Sequence, residues 1–202
     1  MPKIVDKFQK RQNIALSSID LFVEKGFHKL TVSEVAKNAN IAKGTIYKYF
    51  ENKEDIVFAI IEYAQESYDK EVIENIKSST CVKDKIFALF SLCISQTKES
   101  IKRRKIYKEY IAICLDNPSK KIIEFQKNMK IKYTQWLDEI LTQGIKDKQL
   151  KKESLNFTHG LYAIGENVLL FSHLDNYNDE NMLQKHIMSL LELIKIGDCN
   201  NH

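Results

Sequence analysis

Residues 31–55 read TVSEVAKNANIAKGTIYKYFENKED, and this stretch decides the fold. Thr31 stands where it caps a helix, and Glu34, three residues on, reaches back to the cap's own amide, the spacing of a capping box. Val32, Val35, Ala36 and Ala39 supply one apolar stripe at the helical period. Asn40 tolerates the left-handed backbone that ends a helix, and a three-residue turn separates this helix from the next. A second short helix is expected over Lys43–Phe50, and Lys53 opens a third. Two helices linked this way make a helix-turn-helix, whose second helix enters the DNA major groove.

The second helix carries the chemistry for that reading. Ile46 and Phe50, four apart, anchor it to a core and leave Lys43, Thr45, Tyr47, Lys48 and Tyr49 on the other faces. Cations, a hydroxyl and two phenols are what phosphate oxygens and base edges require. Gly44, near the helix start, lets backbone approach a neighbouring surface closely. Lys53 begins the following helix, where an ammonium and unpaired amides meet one phosphate. The plain alternative is a small helix with solvated polar faces, but cap, turn, anchors and donors all agree on the first reading.

Taken together, Gly26-Phe27, Thr31-Val32 with Val35-Ala36, the run Lys43 to Phe50, and Lys53-Glu54 resemble the TetR/AcrR family of bacterial transcriptional regulators. The likeness covers about the first quarter of the chain; past Tyr63 it lies only in length and helical pattern. It implies an all-α fold. An N-terminal three-helix DNA-binding domain would occupy residues 1–52, and a larger helical effector-binding and dimerisation domain residues 53–202. It also implies that Thr45, Tyr47, Tyr49 and Lys53 touch phosphate, while Lys43 and Lys48 are candidates for base contacts. With Thr31 and Gly44, these make the expected DNA-binding set. One departure stands out: the first-helix region has only Lys10 and Arg11 as a basic pair.

Composition agrees with a compact helical regulator. A chain of 202 residues buries a substantial core, and two prolines and six glycines leave few helix breakers. Net charge is only +4, yet residues 1–53 hold ten Lys/Arg against five Asp/Glu. Moving the cut to residue 55 weakens that bias, so it supports the motif without standing alone. Apolar runs fall well short of the ~20 residues a spanning helix needs, and the polar N-terminus is no signal peptide. Cytoplasmic location is expected, with no membrane partner. Cys81, Cys93, Cys114 and Cys199 lack metal-site spacing and are expected as free thiols, a redox pair being the alternative. No glycine fingerprint, phosphate loop, zinc spacing or nucleophile elbow occurs, so neither a cofactor nor catalysis is implied.

Beyond the motif, helix follows helix. The first is expected over Lys7–Lys25, with Phe8, Ala15, Ile19 and Phe22 inward and Gly26 as its end. A long helix runs from Lys53 to about Lys77. Another carries Val82, Ile86, Leu89, Phe90 and Cys93. Arg103-Arg104-Lys105, read as a solvated surface, opens one with Ile106, Tyr110 and Ile113 inward. Asn117-Pro118 then signals a cap and first helical position before a helix reaching Lys148.

The segment Lys152–Leu174 carries two stripes: Phe157, Leu161, Ile164, Val168 and Phe171, and a mixed face of His159, Tyr162, Glu166 and His173. A last helix repeats Leu183, Ile187, Leu190, Leu191 and Ile194. By the resemblance, these two helices and their copies form a four-helix homodimer seam, with Leu161, Val168, Leu190 and Ile194 as candidates. Tyr110, Trp136, His159, Tyr162 and Glu166 are the candidates for an effector site, where a carboxylate among rings suits a cationic aromatic ligand. His159 and Glu166 stand two turns apart, about 10 Å, too far for one metal ion. The expected function is a ligand-responsive dimeric repressor of a pseudo-palindromic operator, released by a small hydrophobic or cationic aromatic effector. The alternative is the same architecture controlled by a protein partner or by abundance.

Overall fold

The computed structural model describes residues 2–116, 118–172 and 180–195, with residues 2–6 and 180–183 described as backbone only. It is all-α, as expected. In chain order the helices are α1 (Pro2–Ser17), α2 (Ile19–Lys29), α3 (Val32–Asn38), α4 (Lys43–Ile46), α5 (Lys53–Ser78), α6 (Val82–Leu89), α7 (Ser91–Ile94), α8 (Lys98–Asp116), α9 (Lys120–Lys146), α10 (Thr158–Phe171) and α11 (Glu180–Ile194), with a 3-10 turn at Lys152–Phe157. Two compact units result: Met1–Asp69 with Lys105–Ile113, and Lys70–Arg104 with Cys114–His202. Both α5 and α8 therefore contribute residues to each unit, and α5 is not the sole element the units share.

In the first unit the core gathers Ile14, Ala15, Phe22, Leu30, Val35, Ala36, Ile46 and Phe50 around α5, which is buried without a break from Ile56 to Ile61. A helix apolar on all sides belongs inside a domain. The expected first helix is two. Ser18, fully buried, turns its hydroxyl back to the Ile14 carbonyl at 2.8 Å, and the helical run pauses there. Phe8 is 61% exposed, which corrects its expected inward place. Gly26 does break the helix, with φ at 71°, and one further turn follows to Lys29.

In the second unit α9 is the central element. Its buried residues Ile122, Thr134, Leu137, Ile140, Leu141 and Gly144 face α6, α10 and the 3-10 turn. Two contacts show α10 running antiparallel to α9: Thr158 Oγ1 donates to Asp138 at 2.5 Å, and Gln126 Nε2 to Glu166 at 3.5 Å. The cap of α9 is Ser119, whose Oγ accepts the Ile122 amide at 3.4 Å. The cap expected at Asn117 lies outside the described residues. Arg104 is not solvated: it is 7% exposed and donates to the carbonyls of Leu92 and Ser95 and to Gln96. These carbonyls are orphan acceptors at the end of α7, and a guanidinium satisfies several at once. Arg103, beside it, pairs with Glu71 and Glu99.

Candidate DNA-recognition site

The motif folds as its local chemistry dictates. Thr31 caps α3, its hydroxyl oxygen accepting the Glu34 amide at 3.3 Å while its own amide donates to Glu34 Oε2 at 3.1 Å. Glu34 also receives the Lys25 ammonium, and these hydrogen bonds hold its carboxyl down at about 2. Asn40 takes the left-handed backbone at φ 53°, and the Ile41 and Asn40 amides bond back to Ala36 and Lys37 at 3.0 and 3.1 Å. That is a Schellman ending with asparagine in the place glycine usually fills.

The recognition element is shorter than expected. Regular helix covers Lys43–Ile46, and the chain continues to Phe50 through tighter turns, with Lys48 and Tyr49 amides bonded to Thr45 and Ile46 carbonyls. Ile46 and Phe50 are buried as anchors. Lys43, Gly44, Tyr47 and Lys48 are exposed, Tyr47 at 53%, while Thr45 and Tyr49 are half-buried. Apart from its chain neighbours and its own helix backbone, no described residue lies within 4 Å of the place a Cβ would take on Gly44, and its φ is not left-handed. Neither packing nor backbone strain explains a glycine there.

Arg11, which the sequence left without a role, holds this element in place. Its guanidinium makes a two-pronged pair with Asp55 at 2.9 and 2.6 Å, donates to the Tyr49 carbonyl at 2.6 Å and lies 4.4 Å from the Phe50 ring centre. The hydrogen bond to Asp55 raises its pKa above the ordinary value. The residues are 44 apart in sequence, so no local pattern announces the clasp. Lys53, expected on phosphate, donates to the Phe27 and His28 carbonyls at 3.0 and 3.4 Å and sits 4.5 Å from the Phe27 ring centre.

The effector candidates lie on α8, α9 and α10. Tyr110 is buried in the first unit beside Tyr107. In the second unit Tyr162 donates to Glu166 at 2.5 Å, and His159 is exposed one turn earlier. Trp136 lines a separate open cavity of ≈ 290 Å³ with Ile73, Ile76, Lys77, Lys85, Glu139, Ile140 and Gln143. None of the other four candidates is in that wall. His173 lies outside the described residues. Among the described residues no cluster of His, Cys, Asp or Glu is fit for a metal. No described helix is long and apolar enough to cross a membrane.

The seam candidates also divide. Leu161 and Ile194 are 1% and 3% exposed within the single chain, so their side chains are spent on its own core. Val168 and Leu190 are half-buried. Outward on the same helices stand Gly160, Ala163 and Asn167 of α10, and Met188 and Leu193 of α11, Leu193 at 65%.

A helix-turn-helix with an open, donor-rich second element, followed by a larger helical unit, defines a DNA-binding regulator. The family described as bacterial regulatory proteins, tetR family, matches residues 17–60. The fatty acid metabolism regulator protein of Bacillus subtilis is 30% identical over 146 residues, covering 72% of this chain and 73% of that protein. The chain belongs to the TetR family of transcriptional regulators, which are not enzymes. A TetR-family regulator from Cytophaga hutchinsonii superposes at TM-score 0.79 over 96% of this chain and 98% of that one, at 17% identity. FadR from Bacillus subtilis, solved with stearoyl-CoA, superposes at 0.61 over 89% and 96%, at 24% identity.

Proposed function

We propose that the protein is a cytoplasmic homodimeric repressor that binds a pseudo-palindromic operator and is released by a small hydrophobic effector. Residues 1–52 read the DNA, and residues 53–202 bind effector and partner copy. The observation that carries the DNA contact is the empty space above Gly44, flanked by exposed Lys43, Tyr47 and Lys48. Thr31, Thr45, Tyr49 and Lys53 complete the phosphate-facing set, while Lys43 and Lys48 reach base edges. A good base contact contributes roughly 1–3 kcal/mol of discrimination.

The cavity with Ile73, Ile76, Ile140 and Trp136 in its wall favours an apolar ligand body over a cationic one, because two lysines and one glutamate flank it. Glu166, the carboxylate expected to draw a cation, is already engaged by Tyr162 and Gln126. The relative's role in fatty acid metabolism makes long-chain acyl compounds, free and as CoA thioesters, the first class to test. Control by a protein partner or by abundance is the second reading.

Calorimetric titration with stearoyl-CoA and with free stearate, with and without a duplex selected from a random library, tests the switch. Linkage requires DNA and effector to weaken one another by the same factor, and a hundredfold effect is about 2.7 kcal/mol of coupling. Equal ligand affinity with and without DNA removes the release mechanism for that compound.

A further inference from the structure

In the first unit, α8 supplies a carboxylate to the turn that follows Gly26. Glu109 Oε2 accepts the Phe27 amide at 2.7 Å. A Cβ on Gly26 would lie 2.8 Å from that same oxygen, and the glycine's φ of 71° is one L side chains rarely adopt. Backbone conformation and packing thus both reserve this position for glycine, and what they make room for is the carboxylate. The other side of the turn is held by a cation. Lys53 Nζ donates to the Phe27 and His28 carbonyls, with the Phe27 ring beneath it. One short turn is therefore gripped by an anion from α8 and by the first residue of α5.

We propose that Glu109 is a positioning residue for DNA recognition: by fixing the Gly26–His28 turn it holds Lys53 where that ammonium meets the DNA backbone. Lys53 follows the recognition element directly, and two of its three N–H donors rest on acceptors whose place depends on Glu109. Without the carboxylate the turn loses its hold on that side, Lys53 no longer stays where the phosphate meets it, and that contact is lost. Losing one such contact weakens association by about three- to tenfold.

The test uses the full chain and a fluorescent duplex selected by the wild-type protein from a random library, titrated at several salt concentrations. Glu109→Ala is expected to bind about three- to tenfold more weakly. Its log–log salt slope should fall by roughly 0.9, the share of one lost phosphate contact. Glu109→Gln, whose amide oxygen still accepts the Phe27 amide, stays within about twofold of wild type. In a Lys53→Met background Glu109→Ala adds less than about twofold, because the residue it acts through is gone. A merely structural role would leave the slope unchanged or give the same loss in both backgrounds, and either result overturns the proposal. Wild-type affinity and slope in Lys53→Met alone would overturn the phosphate role of Lys53, and this proposal with it. Should Glu109→Ala melt early, Glu109→Asp replaces it: one methylene too short, it must also lose slope, and wild-type binding by it overturns the proposal.

Discussion

Gly44 separates two demands that usually coincide. Alanine suits a helix better than glycine by about 0.5–1 kcal/mol, and no described residue beyond its own helix would touch the new methyl group. Gly44→Ala should therefore hold or raise the melting temperature while weakening DNA binding; a variant that melts higher and binds normally would show that no surface comes close there. Glu34 offers a test by pH. Its carboxyl is depressed to about 2 by Lys25 and by both donors of Thr31. A depressed acid stabilises the fold above its ordinary value near 4.5 and loses that contribution as pH falls towards 2. Carbon-detected titration should place its midpoint near 2, and a midpoint near 4.5 would mean the capping box is open in solution. Cys93 sits at the opposite extreme: burial pushes its thiol up to about 12, although Arg104 pulls it down. Although both thiols are partly exposed, Cys93 should react more slowly than Cys81 with thiol reagents at pH 8, because it holds little thiolate, which leaves it a poor member of any redox pair.

At the scale of elements, sequence revealed what is local and hid what is distant. Thr31 with Glu34, and Asn40 after Ala39, were legible because each acts within four residues of itself. Lys53–Ser78 was legible because its apolar period never lapses. Arg11 with Asp55 and Glu109 with Phe27 were not, since they join residues 44 and 82 positions apart. The break at Phe90 was hidden for a related reason. Phe90 ends α6 and sends its ring against Gly165 of α10, where a Cβ would stand 2.1 Å from a ring carbon. Apolar pattern marks Phe90 as core without saying that the chain bends to put it there. Overpacking such a contact costs about 1–3 kcal/mol. Gly165→Ala should lose that much in chemical denaturation and recover part of it when Phe90→Leu makes room. An unchanged midpoint in the single variant would mean the two helices separate without cost.

At the scale of the whole molecule, the proposed homodimer needs an apolar face that the chain's own core does not use. Periodicity marked Leu161 and Ile194, yet both serve their own chain, because a helix with two apolar faces does not say which one its own core takes. The face left outward carries Leu193, half-buried Leu190 and the small residues Gly160 and Ala163, which permit close helix approach. Leu193→Arg should leave folding within about 0.5 kcal/mol, as exposed substitutions do, and convert a dimer to monomer in sedimentation. A dimer that survives it would move the seam elsewhere. Loss of the seam should also sharply reduce affinity for the proposed operator, whose two half-sites, ~34–36 Å apart, need both copies.

The discontinuity of the first unit has a consequence for how the protein is made. Residues Met1–Asp69 are joined there by Lys105–Ile113, so Glu109 reaches the Gly26 turn only after some forty more residues have been synthesised. At bacterial translation speeds that is a wait of about 2–8 s. Through that interval the nascent chain holds a complete reading motif whose anchoring carboxylate has yet to emerge from the ribosome. In this order of synthesis the proposed hold of Glu109 on the reading motif is made only once α8, which contributes residues to both units, has been synthesised.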